Sequence, residues 1–173
     1  LSRDGDYERL LDAVEKRRLP IAASGLSQIH KAAVTSALCR KRGKCAIVIT
    51  HDEASAVGIR DDLSSLGMRA AYLPSRDYNL TRLSGYSREY EHLRADTLSG
   101  LLDGAFELLV LSVDSCIQYT VPPEILRQYR FEISVGSTVD TKHLAQSLIG
   151  AGYTRCELTE GKGQFSMRGG IID

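Results

Sequence analysis

No stretch of this sequence is apolar for long enough to cross a bilayer. The longest runs, such as Cys45 to Ile49 and Leu108 to Leu111, fall far short of the roughly 20 residues a spanning helix needs, so no membrane partner is expected. Charge of one sign is not in excess either. Lys+Arg and Asp+Glu number 22 each, which argues against a strong electrostatic grip on nucleic acid by the chain as a whole and leaves room only for a locally basic face. Cysteine is scarce and lacks metal-binding spacing. Cys39, Cys45, Cys116 and Cys156 form no C-x-x-C pair, and the histidines at 30, 51, 92 and 143 do not cluster with them, so no zinc site and no other cofactor is expected. The thiols should be reduced and pack as small apolar groups. Repeats and low-complexity tracts are missing, and Leu1 to Glu8 is charged with no apolar signal region, for which a cytoplasmic address is the expectation.

What remains is a folding chain. Its 173 residues are 43% apolar, enough for one domain or a domain with a small second module. Tyr7, Leu10, Leu11 and Val14 recur at helical spacing, and Leu19 to Ala23 reads as a short buried strand ending at Ser24-Gly25. A second helix is predicted over about Ile29 to Arg42 with Gly43 as its stop. Cys45 to Ile49 reads as a strand buried on both faces, and Thr50 with Glu53 as a capping box opening a helix to about Leu66. Arg69 to Pro74 is a third strand, Ser87 to Leu102 a helix, and Glu107 to Val113 a fourth strand. The charged stretch Arg88 to Arg94 reads as the wet face of that helix. Strand and helix alternating four times predict a parallel sheet covered on both faces, an α/β fold.

The pattern changes near Pro122-Pro123, a dipeptide that cannot lie inside a helix or a central strand. Phe131 to Val135 alternates as a half-exposed strand does, Asp140 caps a helix ended by Gly150 and Gly152, and three short strands follow over 153–158, 164–167 and 170–172. The expected domains are residues 1–115, α/β, and residues 116–173, a small α+β module whose last strand the chain leaves incomplete.

Residues 20–32 have the setting of a phosphate-binding loop, whose pattern is G-x-x-x-x-G-K-[ST]. Gly25 and Lys31 fit. His30 stands where the second glycine belongs and would obstruct the approach of backbone N–H groups to a phosphate; Ala32 stands where a hydroxyl must hold magnesium. The loop is expected to be inactive. Asp52-Glu53 reads as a helix start rather than an acidic ATPase motif, and Asp114 has no obvious partner.

Residues 150–173 contain Gly152-Tyr153-Thr154-Arg155 and then Gly163-Gln164-Phe165-Ser166-Met167-Arg168-Gly169-Gly170-Ile171-Ile172-Asp173. They resemble the G-Y-x-R and G-x-F-x-x-R-G-x-x-(I/V)-(D/E) signature shared by the excision-repair protein UvrB and the bacterial transcription-repair coupling factors (Mfd). Ser87 to Arg94, and Leu111 to Gln118 leading to Pro122-Pro123, agree with the coupling factors. UvrB carries an intact phosphate loop and, after its third strand, a long hairpin that clamps DNA. Here that loop is broken and only about a dozen residues, Pro74 to Ser87, follow the third strand, so the resemblance is to the N-terminal UvrB-homology region of the coupling factors.

The resemblance implies a degenerate P-loop NTPase-like domain over 1–115 and a UvrA-binding domain over 116–173. It implies that Arg155 and Arg168 engage UvrA, while Ser166 stands where UvrB has another arginine. It also implies a fragment without enzymatic activity inside an ATP-dependent DNA translocase. That larger protein would reach RNA polymerase and DNA through other domains, and its C-terminal part would mask the UvrA surface. The competing expectations are a UvrB-like enzyme that loads onto damaged DNA at the expense of ATP, and a DNA-binding module independent of UvrA.

Overall fold

The computed structural model describes residues 5–76 and 89–173. They divide into two compact units, residues 1–118 and 119–173.

In the first unit, α1 (Gly5–Glu15) precedes α2 (Gln28–Arg42), which ends at Gly43 in the left-handed conformation with φ +59°. Glycine adopts that conformation without the steric penalty a Cβ brings. Then follow β1 (Ala46–Thr50), α3 (Glu53–Ser65), β2 (Ala70–Leu73), α4 (Glu89–Leu102), β3 (Leu108–Ser112) and the single turn α5 (Val113–Cys116). The three strands are parallel in the order β1-β3-β2, with Val48 opposite Val110 and Tyr72 opposite Val110. This is an α/β unit with a small sheet. β3 lies at the centre and is buried along its whole length, as its unbroken Leu-Leu-Val-Leu run requires.

Ala32 and Cys39 of α2, Ala56, Ile59 and Leu63 of α3, and Leu108 and Val110 form the core on one face. Leu98 and Leu101 of α4 pack on Ala71, Leu73, Leu109 and Leu111 on the other. That second face is only partly covered among the described residues: Ile47 and Ile49 of β1 are 65% and 54% exposed, against the sequence expectation of a strand buried on both sides. The expected strand over Leu19–Ala23 does not form. Residues 18–24 carry no helix or strand and are exposed, and Pro20 has no N–H to give to a ladder. Among the described residues the sheet therefore has three strands rather than the four expected.

Nor is the α3 start the expected Thr50–Glu53 box. Asp52 is the N-cap, its carboxylate accepting from the Ser55 N–H at 2.7 Å, while the Thr50 hydroxyl donates to the Asp52 carbonyl. The Ser55 backbone hydrogen bond holds the Asp52 carboxyl below its ordinary pKa, with the Ser55 side chain and His51 adding to the shift. A carboxyl depressed in the native state stabilises it above the unfolded pKa, and that stabilisation is lost as pH falls through the native value. Asparagine caps equally well but does not titrate. Melting temperatures measured from about pH 7 to pH 3 should therefore fall less steeply at the acid end for Asp52→Asn than for the natural chain.

The second unit holds α6 (Pro123–Gln128), α7 (Thr141–Gly150) and four two-residue strands: β4 (Thr154–Arg155), β5 (Gln164–Phe165), β6 (Met167–Arg168) and β7 (Ile171–Ile172). β4 and β5 pair in parallel, β6 and β7 antiparallel, in separate sheets. Phe131–Val135, read from sequence as a strand, is not one. It meets no partner edge among the described residues, and Phe131, Ile133 and Val135 are exposed. The connection Pro74–Ser87, which bears on the DNA-clamping hairpin, lies mostly outside the described residues, as do Ser87 and Arg88 of the predicted fourth helix. No helix among the described residues is long and apolar enough to cross a membrane, and none of their His, Cys, Asp and Glu side chains group as a metal site.

Candidate functional site

Asp140 accepts from the Lys142 and His143 N–H groups and so starts α7, which presents Leu144 and Leu148 at the spacing of one helical turn. Phe165, 2% exposed, fills the face between them, with Ala145, Met167 and Ile172 alongside. The Thr154 N–H donates to the Gly163 carbonyl and the Cys156 N–H to the Phe165 carbonyl, both at 2.9 Å, and this holds Arg155 on the surface of β4.

Three residues beyond Phe165, Arg168 is also exposed. It flanks a two-residue turn in which Gly169 has φ +61°, and a Cβ there would meet nothing within 4 Å, so the dihedral angle and not crowding calls for glycine. One Arg168 N–H donates to the Glu157 carbonyl at 3.0 Å, which orients the guanidinium and leaves the rest of its fork unused among the described residues. Arg155 makes no hydrogen bond or ion pair among them. The two arginines stand on different sheets, not on neighbouring strands of one. Tyr153, Leu158 and Ile171 are exposed in the same unit, and Ser166 is buried with its hydroxyl 3.3 Å from an Asp173 carboxylate oxygen, so that position supplies no surface donor.

In the first unit, Gly25 has φ +76° but no strand leads into it. His30 is exposed in the first turn of α2 with Nδ1 3.0 Å from the Ser27 hydroxyl, and Lys31 is exposed beside it. Ala32 is 0% exposed and belongs to the core under the sheet. A hydroxyl at this position would lie against Ile59, Leu63 and their neighbours.

The C-terminal ends of parallel strands, where open α/β sheets bind ligands, hold a network of the chain's own polar groups. The Glu53 carboxylate, following β1, accepts from the Tyr72 hydroxyl on β2, the Ser112 hydroxyl on β3 and the Ser75 N–H. Arg94, 2% exposed, donates to the Pro74 carbonyl and to the Ser115 hydroxyl, and the Gln118 side chain exchanges two hydrogen bonds with the backbone of Arg76. Arg94 thus corrects the reading of Arg88–Arg94 as a solvated face. The signal was its phase: it sits four and seven residues before Leu98 and Leu101, on the apolar stripe of α4. Asp114 is exposed on α5.

The family model of the UvrB interaction domain matches residues 131–173, the segment that bears both arginines. Over its full length the chain is similar to the transcription-repair-coupling factor of Bacillus subtilis, 27% identical over 175 aligned positions. That of Staphylococcus epidermidis is 25% identical over the same span. The UvrABC system protein B of Chlorobium limicola is 26% identical over 96% of the chain. The chain spans about 15% of the length of these two coupling factors and 26% of that protein B. Within the matched segment, Phe165 is buried on β5 while Arg155 on β4 and Arg168 on β6 are exposed.

Proposed function

We propose that this chain is a non-catalytic recruitment module of a transcription-repair coupling factor, which binds UvrA and so links removal of stalled RNA polymerase to nucleotide excision repair. The observation that carries this reading is the pair of exposed guanidinium groups, Arg155 and Arg168, on a segment matched as a UvrB interaction domain. A guanidinium is a planar fork of donors suited to paired carboxylates at a protein interface. UvrA is the partner proposed for residues 116–173. Other domains of the larger protein would supply the ATP-dependent motor and the contacts to RNA polymerase and DNA. Its C-terminal part would cover the same arginines until they are needed.

The first unit has the role of a scaffold, a degenerate P-loop NTPase-like domain. The His30 ring is hydrogen-bonded to the Ser27 hydroxyl at the helix start, Ala32 is committed to the core, and the strand ends are occupied by Glu53, Arg94 and their partners. The rival reading, a UvrB-like ATPase, draws on the similarity to UvrABC system protein B. Titration with a fluorescent ATP analogue and magnesium separates the two. The scaffold reading expects no saturable signal in the micromolar range, and saturable binding would overturn it. The recruitment reading itself is tested by capture of purified UvrA on the immobilised chain.

A further inference from the structure

The sequence is electrically neutral, but its cations are not evenly spread. Lys16, Arg17 and Arg18 follow α1, and Arg40, Lys41 and Arg42 form the last turn of α2, with Lys44 two residues beyond. Two contacts bring these runs together: Lys41 Nζ lies 2.9 Å from a Glu15 carboxylate oxygen, and Arg42 donates to the Val14 carbonyl at 3.4 Å. Arg40, Lys44 and Arg69 line one cavity of about 430 Å³ with Glu107. All eight cations are exposed. The carboxylates that pair with them are Asp12, Glu15 and Glu107.

Eight of 22 basic residues therefore gather with three of 22 acidic ones, leaving 14 basic against 19 acidic on the rest of the chain. Favourable interaction with the α2 dipole accounts for Arg40 to Arg42. The α1 dipole does the same for Lys16 to Arg18 at that helix's C-terminus, but neither accounts for Lys44, for Arg69 or for the meeting of the two runs.

We propose that this basic face is a docking site for the phosphate backbone of a nucleic-acid duplex. Arginine forks and lysine ammonium groups from three segments present donors to successive phosphates without reading sequence. No exposed aromatic is interleaved with them, so stacking on single-stranded bases has no platform here. The exposed apolar neighbours, Leu19, Ile21 and Leu66, are scattered over a loop and a helix end and form no apolar helix face of the kind that anchors in a membrane. The site lies in the first unit and is independent of the arginines proposed to meet UvrA.

The test is fluorescence anisotropy of a labelled mixed-sequence DNA duplex, with an RNA duplex of the same sequence in parallel, against the full chain at several salt concentrations. Contact with four or five phosphates gives a slope of log affinity on log salt of about −4. Arg17→Gly with Lys44→Ser should make that slope shallower by about 2 and weaken binding about tenfold or more at low salt. Glycine suits the positive φ of Arg17, and neither side chain packs in the core, so folding should survive. Arg155→Ala with Arg168→Ala should leave duplex binding unchanged while reducing UvrA binding. Independently of any variant, duplex should shield Lys16, Lys41 and Lys44 from acetylation read by mass spectrometry, and leave Lys142 and Lys162 reactive. A salt-independent signal, a double variant that binds like the natural chain, or no shielding would overturn the proposal. So would tighter binding to phosphatidylserine vesicles or to polyglutamate than to either duplex.

Discussion

Arg168→Ala should weaken the affinity of the chain for UvrA by about 1–3 kcal/mol, a factor of roughly 5 to 150, and Arg155→Ala within the same range but by less. Arg168 is held at one end by the Glu157 carbonyl, so little conformational freedom remains to be lost when a partner carboxylate takes the other donors. Arg155 has no such tether and would lose more freedom on docking, which makes Arg168 the larger of the two expected effects. Lysine should not rescue Arg168, because a single ammonium cannot hold Glu157 and a carboxylate in a bidentate plane. Calorimetric titration of UvrA measures all three variants, and unchanged melting curves show that the fold has survived. If both alanine variants bind UvrA as the natural chain does, the arginines are not the docking site.

The second large effect concerns what holds those arginines out. Phe165→Ala removes the buried ring between Leu144 and Leu148, a change that costs about 3–5 kcal/mol in a well-packed core. A unit this small seldom has more than about that much stability to lose. Hydrogen exchange should therefore show the α7 amides losing protection while those of β1 and β3 keep theirs, and UvrA binding should disappear with the second unit. Phe165→Leu keeps most of the apolar volume and should retain both protection and binding. Equal protection in Phe165→Ala and the natural chain would contradict the core described here.

The candidate site was legible in outline, since the residue signature of 150–173 singled out Arg155 and Arg168. The tether of Arg168 to Glu157 was not legible, because it joins residues eleven apart through a loop whose path no periodicity encodes. Arg94 was misread for a related reason. Its charge suggested water, and only the Pro74 carbonyl and Ser115 hydroxyl, brought in from other elements, make its burial tolerable.

By itself the sequence determined what depends on neighbours in the chain. The helices from Gln28 and Thr141, the left-handed stop at Gly43, the cap at Asp140 and the apolar runs of β1 and β3 all follow from local geometry and from period. Tertiary structure decided what depends on a partner from elsewhere. Leu19–Ala23 and Phe131–Val135 have the composition of strands, yet a strand exists only when another edge supplies its hydrogen bonds, and neither segment meets one among the described residues.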